Sequence, residues 1–163
     1  MDRSKVPAVL SIAGSDSSGG AGIQADIKTI TAHRLYAETA ITAITAQNTL
    51  GVTAVQNISP DIVAAQIDAV FDDIRPSAVK IGMASSAEII EVIADRLNAW
   101  NATNVVVDPV MVATSGARLI AEDAAEALTR CLFPLATVIT PNIPEAMALL
   151  DYEVDSERTQ QNA

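Results

Sequence analysis

The stretch VPAVLSIAGSDSSGGAG, residues 6–22, decides the fold class of this chain. Its first half, Val6–Ala13, is an apolar run interrupted only by Ser11, which is typical of a strand buried on both faces of a sheet. The glycine-rich stretch Gly14–Gly22 ends this run, and Ile23–Leu35 follows with apolar residues close to helical spacing. A buried strand, a glycine-rich turn and a helix form the first unit of an α/β protein.

The rest of the chain repeats this alternation. Further strands are predicted at Ala37–Ala46, Ala78–Ile81, Val105–Val107 and Thr137–Ile139, with a short extended segment at Val52–Ile58. Further helices are predicted at Pro60–Ile74 behind a hydroxyl cap on Ser59, from the capping box Ser85–Glu88 to about Trp100, at Ala121–Leu132 and at Pro144–Leu150. Apolar strands separated by helices predict a parallel sheet covered on both faces.

Length and composition narrow the class of protein. The chain has 163 residues, of which 50% are hydrophobic and 18% charged, and this suits a single folded domain. Its net charge of −10 argues against binding to the phosphate backbone of nucleic acid. Cys131 is the single cysteine, and the sequence has neither an apolar run of membrane-spanning length nor a signal-peptide pattern. We therefore expect a cytoplasmic protein that binds neither nucleic acid nor membrane.

Polar or glycine-rich residues follow each predicted strand. These segments are Gly14–Gly22, Gln47–Thr49, Gly82–Met83, Asp108–Met111 and Thr140–Glu145. The carboxyl ends of parallel strands meet at one edge of the sheet, where α/β proteins bind their ligands. The sequence therefore predicts a binding site at that edge.

The glycine-rich loop admits two interpretations. Gly20, Gly22 and Ala25 fit a relaxed dinucleotide-binding fingerprint after a strand and at the start of a helix. That fingerprint needs an acidic residue at the end of the second strand, where this chain has Gln47-Asn48. The loop equally suits a tight turn that packs a helix against a strand. It is not a P-loop, because no Gly-Lys-Ser/Thr follows.

Several side chains at this edge have both a ligand-binding and a structural interpretation. The Gln47 carboxamide can pair with an aminopyrimidine edge, or it can satisfy loop backbone groups. Asp26 can accept hydrogen bonds from a ligand, or favour the positive end of its helix. Asp108 can hold Mg²⁺ beside phosphates, usually through water. Asn142 and Glu145 are three residues apart at a helix start and so lie on one face, where Glu145 can bind metal-linked water or simply be an acidic residue of the first turn.

The blocks together carry a family resemblance. They are residues 11–26 (SIAGSDSSGGAGIQAD), 42–49 (TAITAQNT), 80–83 (KIGM), 108–111 (DPVM) and 140–145 (TPNIPE). In this order the chain resembles the hydroxymethylpyrimidine/phosphomethylpyrimidine kinases of thiamin biosynthesis, which belong to the ribokinase-like family. The resemblance runs from about Val6 to Leu150 and implies a ribokinase-like α/β fold with a mostly parallel sheet.

The resemblance implies an activity and a set of site residues. The activity is phosphorylation of 4-amino-5-hydroxymethyl-2-methylpyrimidine and of its monophosphate, with ATP and Mg²⁺. The positions implied to bind the aminopyrimidine are Gly14, Asp26, Gln47, Met83 and Val110. Asp108, Asn142 and Glu145 match positions in the vicinity of ATP and its phosphates, and Asp108 and Glu145 match positions near Mg²⁺, held through water.

The sequence departs from that family in one large respect. Family members carry a late Gly-Thr-Gly-Cys-like segment at a helix start, which forms the anion hole and supplies the residue that activates the substrate hydroxyl. This chain has no such segment. We therefore expect residues 1–150 to be the N-terminal substrate-binding part, residues 151–163 to be a polar tail at a truncation, and the catalytic residues to lie downstream. On this interpretation the chain is inactive by itself.

Other functions stay open at this point. The chain could be a non-catalytic pyrimidine-binding module, a pyridoxal-type kinase of the same superfamily or, least favoured, a dinucleotide-binding oxidoreductase. Whether it forms a homodimer is open as well.

Overall fold

Six strands form a single sheet in the computed structural model, which describes residues 6–111 and 122–150. The strands are β1 (Ala8–Asp16), β2 (Tyr36–Asn48), β3 (Gly51–Asn57), β4 (Ala78–Ile81), β5 (Val105–Val107) and β6 (Val138–Ile139). Their order across the sheet is β3-β2-β1-β4-β5-β6. Every neighbouring pair is parallel except β2 and β3, which are antiparallel. The predicted α/β class with a mostly parallel sheet is therefore confirmed.

Helices connect these strands. They are α1 (Gly22–Ala32), α2 (Pro60–Asp73), α3 (Ala87–Ala99), α4 (Glu122–Ala127) and α5 (Ile143–Leu150). After α4 the chain continues as a short π-helix at Leu128–Leu132 and a 3₁₀ turn at Phe133–Leu135. None of the helices in the described ranges is long and apolar enough to cross a membrane.

The main core lies between one face of the sheet and helices α2 and α3. Leu10 and Ile12 of β1 point to this face and are fully buried together with Ile67 of α2 and Ile93 of α3. Burying each such side chain stabilises the fold by about 1.5–3 kcal/mol. Ser11, between Leu10 and Ile12, points to the opposite face, which α1 covers.

Some predicted boundaries were correct and others were wrong. Strands β4 and β5 have the predicted ends. Strand β1, however, runs three residues beyond Ala13 to Asp16, because Ser15 and Asp16 pair with β2 after a shift in register. The predicted extended segment after β2 is a full strand, the antiparallel edge strand β3. One antiparallel edge strand is consistent with the predicted mostly parallel sheet.

Three helix predictions also need correction. Ser59 is the N-cap residue of α2, but its side chain makes no capping hydrogen bond, so the predicted hydroxyl cap is wrong. At α3 the N-cap residue is Ser86, not Ser85 of the predicted capping box: the Ser86 hydroxyl accepts a hydrogen bond from the N–H of Ile89 at 3.3 Å, whereas the Ser85 hydroxyl donates to Asn57 Oδ1. The predicted helix Ala121–Leu132 is α-helical only to Ala127 before it widens into the π-helix, and Ala121 lies outside the described residues.

The strand order creates a switch point beside β1. From β1 the chain moves first to β2 on one side and later to β4 on the other side. At such a point the connections leave the sheet in opposite directions and open a crevice at the carboxyl ends of the strands.

Candidate functional site

A cavity of about 330 Å³ lies at the carboxyl ends of β1 and β4, a size typical of small-molecule sites. Six residues singled out from the sequence line it: Gly14, Asp26, Gln47, Met83, Asp108 and Val110. The other lining residues are Ala13, Ser15, Asp16, Ala21, Gly22, Thr45, Val52 and Lys80. The structure thus brings together residues that are up to 96 positions apart, from Gly14 to Val110.

Asp16 organises the glycine-rich loop between β1 and α1. Its carboxylate accepts hydrogen bonds at 2.8–2.9 Å from the backbone N–H groups of Ser18, Gly20 and Ala21. The Ser18 hydroxyl donates to the same carboxylate. Burial acts to raise the pKa of Asp16, but these hydrogen bonds outweigh it and hold the pKa below its usual value.

This arrangement argues against the dinucleotide hypothesis. A dinucleotide fingerprint offers its loop N–H groups to a pyrophosphate, whereas here the chain's own carboxylate accepts the hydrogen bonds of three of them. The acidic residue of β2, Glu38, lies near the start of that strand, at the end away from the cavity. The loop therefore shapes the cavity wall rather than presenting a phosphate cradle.

Gly22 closes the loop at the start of α1. Its φ is +54°, a conformation that favours glycine, and a Cβ there would collide with the carbonyl oxygen of Gly14. Gly22 also forms an isolated antiparallel bridge with Ser15. This close approach of α1 to β1 brings Asp26, one turn further along, to the cavity.

Thr45 holds one end of the Gln47 carboxamide, and the other end has no hydrogen-bond partner among residues 6–111 and 122–150. Thr45 Oγ1 lies 3.1 Å from Gln47 Oε1 and 2.9 Å from the carbonyl oxygen of Ser15. The Gln47 backbone is fixed as well, since its N–H and C=O both pair with the Ser17 hydroxyl oxygen. With either orientation of the amide, Thr45 anchors one polar atom and leaves the other to a ligand in the cavity.

A Lys80 ammonium lies between two carboxylates on the cavity wall. Its Nζ is 3.1 Å from Asp26 Oδ2 and 4.0 Å from Asp108 Oδ2. Asp26 also accepts a 2.6 Å hydrogen bond from the Ser11 hydroxyl, so its carboxylate is oriented from two sides. Both Lys80 and Asp26 retain exposure, with 28% and 20% of their side chains accessible.

Asp108 follows β5, and its surroundings shift the pKa of its carboxyl group. Burial raises the pKa of Asp108, the Lys80 ammonium opposes this, and the carboxylates of Glu145 and Asp26 add to it. A hydrogen bond with the Thr140 side chain also acts to lower the pKa, yet the net direction is upward. Asp108 is therefore a carboxylate whose charge a cation would stabilise.

Asn142 and Glu145, both predicted near the ATP phosphates, are not among the residues that line the cavity, and they bond to each other. Glu145 Oε2 accepts the Asn142 N–H at 2.9 Å, and Asn142 Oδ1 accepts the Glu145 N–H at 2.9 Å. This reciprocal pair caps the start of α5. Glu145 Oε1 faces the Met111 N–H at 3.4 Å, and the residue is only 5% exposed. The predicted structural interpretation of this pair is therefore present in the geometry, and it does not preclude an electrostatic effect on Asp108.

These donors fit magnesium in one specific way. Within residues 6–111 and 122–150, no three His, Cys, Asp or Glu side chains form a group that could hold a metal ion. Mg²⁺ commonly binds through one or two carboxylates, several waters and substrate phosphates. Asp108, 36% exposed, suits that role, whereas both oxygens of Glu145 already face backbone N–H groups.

Sequence reasoning assigned no role to four polar residues of the cavity: Ser15, Asp16, Thr45 and Lys80. Lys80 had a detectable signal, because it is a charged residue inside a four-residue core strand. Met111, the last residue of the segment Asp108–Met111, packs in the main core rather than in the cavity lining.

Comparison with known proteins agrees with the binding site that the geometry describes. A family model described as phosphomethylpyrimidine kinase matches residues 16–163. A hydroxymethylpyrimidine/phosphomethylpyrimidine kinase of Rhizobium meliloti (strain 1021) is 61% identical over 137 residues, which cover 84% of this chain and 51% of that relative. The chain spans about half the length of the curated relatives it matches.

Solved structures show the same fold. A phosphomethylpyrimidine kinase from Clostridium difficile 630 superposes with a TM-score of 0.86 at 52% identity, covering 94% of this chain and 67% of that one. The pyridoxal kinase from Staphylococcus aureus in complex with AMP-PCP and pyridoxal superposes with a TM-score of 0.81 at 35% identity, covering 96% of this chain and 56% of that one. The fold is therefore that of the vitamin kinases.

Proposed function

The chain belongs to the phosphomethylpyrimidine kinase family, and on that premise we propose that it forms the aminopyrimidine-binding part of an ATP-dependent kinase. The acceptors are 4-amino-5-hydroxymethyl-2-methylpyrimidine and its monophosphate. The observation that carries this proposal is the cavity itself, which is lined by an anchored carboxamide, by apolar side chains and by a pair of carboxylates. The names of the relatives at 48–61% identity support the choice of substrate.

The ring is the part of the substrate that this cavity would recognise. An aminopyrimidine presents a ring nitrogen acceptor beside an amino donor, and a carboxamide matches that pair in one plane. We assign this contact to Gln47. Met83, whose Sδ lies next to Gly14, and Val110 supply apolar contact with the ring, while Asp26 accepts a further hydrogen bond.

The phosphoryl group would arrive from the side of Asp108. We assign Asp108 to Mg²⁺ through water, with Glu145 adding negative charge beside it and Asn142 holding Glu145 in place. Bound Mg²⁺ would neutralise charge on the ATP phosphates during transfer. ATP is supported by the relative described with AMP-PCP, and Mg²⁺ by the partly exposed Asp108. We place the group that activates the substrate hydroxyl outside residues 1–163.

Residues 1–150 are proposed to act as the substrate-binding part, and residues 151–163 as a polar tail. We also propose that the protein is cytoplasmic, in keeping with the single cysteine. Whether it forms a homodimer is tested by analytical sedimentation.

Calorimetric titration of the chain with 4-amino-5-hydroxymethyl-2-methylpyrimidine tests the proposal. We expect binding to the unaltered chain and a loss of about 10-fold or more in Gln47→Ala, because two hydrogen bonds to the ring disappear at roughly 1 kcal/mol each. Gln56→Ala is the matched control, since Gln56 is exposed on β3 and outside the cavity.

Pyridoxal, titrated in parallel, separates the competing functions. Tighter binding of pyridoxal than of the aminopyrimidine would replace the proposal with a pyridoxal-type kinase. Binding of the aminopyrimidine by a full-length form that fails to phosphorylate it with ATP and Mg²⁺ would instead select a non-catalytic binding module. Binding of neither ligand by the chain would contradict the proposal outright.

A further inference from the structure

Lys80 is positively charged, whereas the other charged residues described in the cavity lining are carboxylates. Three carboxylates, those of Asp16, Asp26 and Asp108, line the cavity. Among the residues that the structure describes, Lys80 is the single cationic side chain in the lining. The Asp16 carboxylate already accepts hydrogen bonds from loop N–H groups, so the other two carboxylates and Lys80 are the charged groups with capacity left for a charged ligand.

The fold makes room for this ammonium group. Lys80 lies in the middle of β4 and extends past Gly82, where a Cβ would come within 2.8 Å of Lys80 Nζ and 3.2 Å of Ala13 Cβ. Any larger residue at position 82 would therefore displace the ammonium from its position between Asp26 and Asp108. The glycine thus fixes where the positive charge is presented.

The ammonium also has donors to spare. A lysine has three N–H donors, and within the described residues one of them is used, in the 3.1 Å contact with Asp26. The 4.0 Å separation from Asp108 is too long for a hydrogen bond. With 28% of its side chain accessible, Lys80 can donate to a ligand in the cavity without first losing Asp26.

We propose that Lys80 binds the phosphate of the monophosphate substrate and so lets one cavity take both the alcohol and its phosphate ester. This inference rests on the proposed function and adds a specificity-determining residue to it. It concerns the second acceptor only, because the alcohol carries no charge that Lys80 would need to balance.

The position of Lys80 agrees with the order of groups along the substrate. On the proposed assignment the ring contacts Asp26, and the transferred phosphoryl group arrives beside Asp108. The phosphate of the monophosphate ester must lie between them, which is where Lys80 Nζ lies. A phosphomonoester carries a charge of about −1.5 to −2 at pH 7, and without Lys80 it would meet two carboxylates and no cation from the lining.

Calorimetric titration of the chain with both ligands tests the inference, and its readout is the ratio of the two dissociation constants. Lys80→Met is expected to weaken the monophosphate by about 10- to 100-fold more than it weakens the alcohol, the range for a lost hydrogen bond to a charged group. Lys28→Met is the matched control, because Lys28 donates to the Gly19 carbonyl outside the cavity; it should leave the ratio unchanged.

Gly82→Ala provides a second route that keeps the charge. Its Cβ moves the ammonium rather than removing it, so the ratio should shift in the same direction by a smaller factor. Thermal unfolding of each variant checks that it is folded.

An equal loss for both ligands in Lys80→Met would leave the ratio unchanged, would show that Lys80 acts only by orienting Asp26, and would overturn the inference. No loss for either ligand would overturn it as well, and so would an unaltered chain that binds the alcohol but not the monophosphate. When only the variants give these results, the proposed function stands; when the unaltered chain fails to bind the monophosphate, the proposed function is reduced to the alcohol. An unaltered chain that binds neither ligand overturns both.

Discussion

Two buried carboxyl groups at opposite ends of neighbouring strands have opposite surroundings. Asp16 ends β1 beside the cavity and is 3% exposed, and Glu38 lies near the start of β2 and is 8% exposed. Asp16 accepts hydrogen bonds from three backbone N–H groups and a hydroxyl. Within the described residues Glu38 Oε2 has no hydrogen-bond partner.

Their pKa values differ accordingly. Burial raises the pKa of Glu38 to about 7, and the nearby Asp73 carboxylate adds to the effect. Burial acts on Asp16 in the same direction, yet its hydrogen bonds reverse the outcome. Burial alone therefore does not decide whether a carboxyl group is charged; the donors around it do. At neutral pH the cavity end of the sheet holds a charged, fully bonded carboxylate, and the other end holds a largely uncompensated one.

Removing the Asp16 carboxylate should have the largest effect. Asp16→Ala leaves three loop N–H groups without their acceptor, and we expect the free energy of unfolding to fall by about 3–5 kcal/mol at pH 7. Urea denaturation measures the change. Asp72→Ala, at an exposed position of α2, is the control and should change stability little.

The stability loss in Asp16→Ala should also depend on pH, in a direction that follows from the pKa of Asp16. The pKa of Asp16 is lowered on folding from its usual 3.8, so its contribution is present above that value and disappears as the pH falls through the lowered pKa. The difference between Asp16→Ala and the unaltered chain should therefore shrink at pH 3. A loss below 1 kcal/mol at pH 7 would mean that water replaces the carboxylate without cost.

Replacing Glu38 should have the opposite sign. Its pKa is raised on folding from 4.5 to about 7, so stability is lost as the pH rises through that window. We expect Glu38→Gln to stabilise the chain by about 2 kcal/mol at pH 8 and to change little at pH 4. Chemical denaturation at both values measures this, with exposed Glu88→Gln as control. Equal effects at pH 4 and pH 8 would argue against a neutral Glu38 in the fold.

The sequence predicts which face of β2 Glu38 lies on, but not which groups surround it there. In β2, Glu38 is two residues from Ala40 and four from Thr42, and both of these are fully buried. The twofold period of a strand therefore predicts that Glu38 points inward. Whether a hydrogen-bond donor lies next to Glu38 depends on α2, which comes more than twenty residues later. No local sequence pattern carries that information.

Local sequence signals likewise predict the strands of the fold better than the contacts of the site. Strands β4 and β5 were predicted to the residue because apolar runs and their flanking residues are local signals. The extension of β1 to Asp16 depends on pairing with β2, thirty residues away. The resemblance pointed to Gln47 and Asp26, but their anchors, Thr45 and Lys80, emerge only when the strands are side by side.

The smallest effect concerns the two causes of the raised Glu38 pKa. Burial is the larger cause and the Asp73 carboxylate the smaller, so Asp73→Asn should stabilise the chain at pH 8 by only about 0.5 kcal/mol through Glu38. Asp73 is also the last residue of α2, where a negative charge opposes the helix dipole. A single variant therefore mixes two contributions.

A double-mutant cycle with Glu38→Gln separates them. The dipole contribution survives in the Glu38→Gln background, whereas the contribution through Glu38 disappears there, because no carboxylate remains to be repelled. The difference between the two values of Asp73→Asn at pH 8 is thus the repulsion alone. Zero difference would leave burial as the whole cause, and it would make the contrast between Glu38 and Asp16 purely one of missing hydrogen-bond donors.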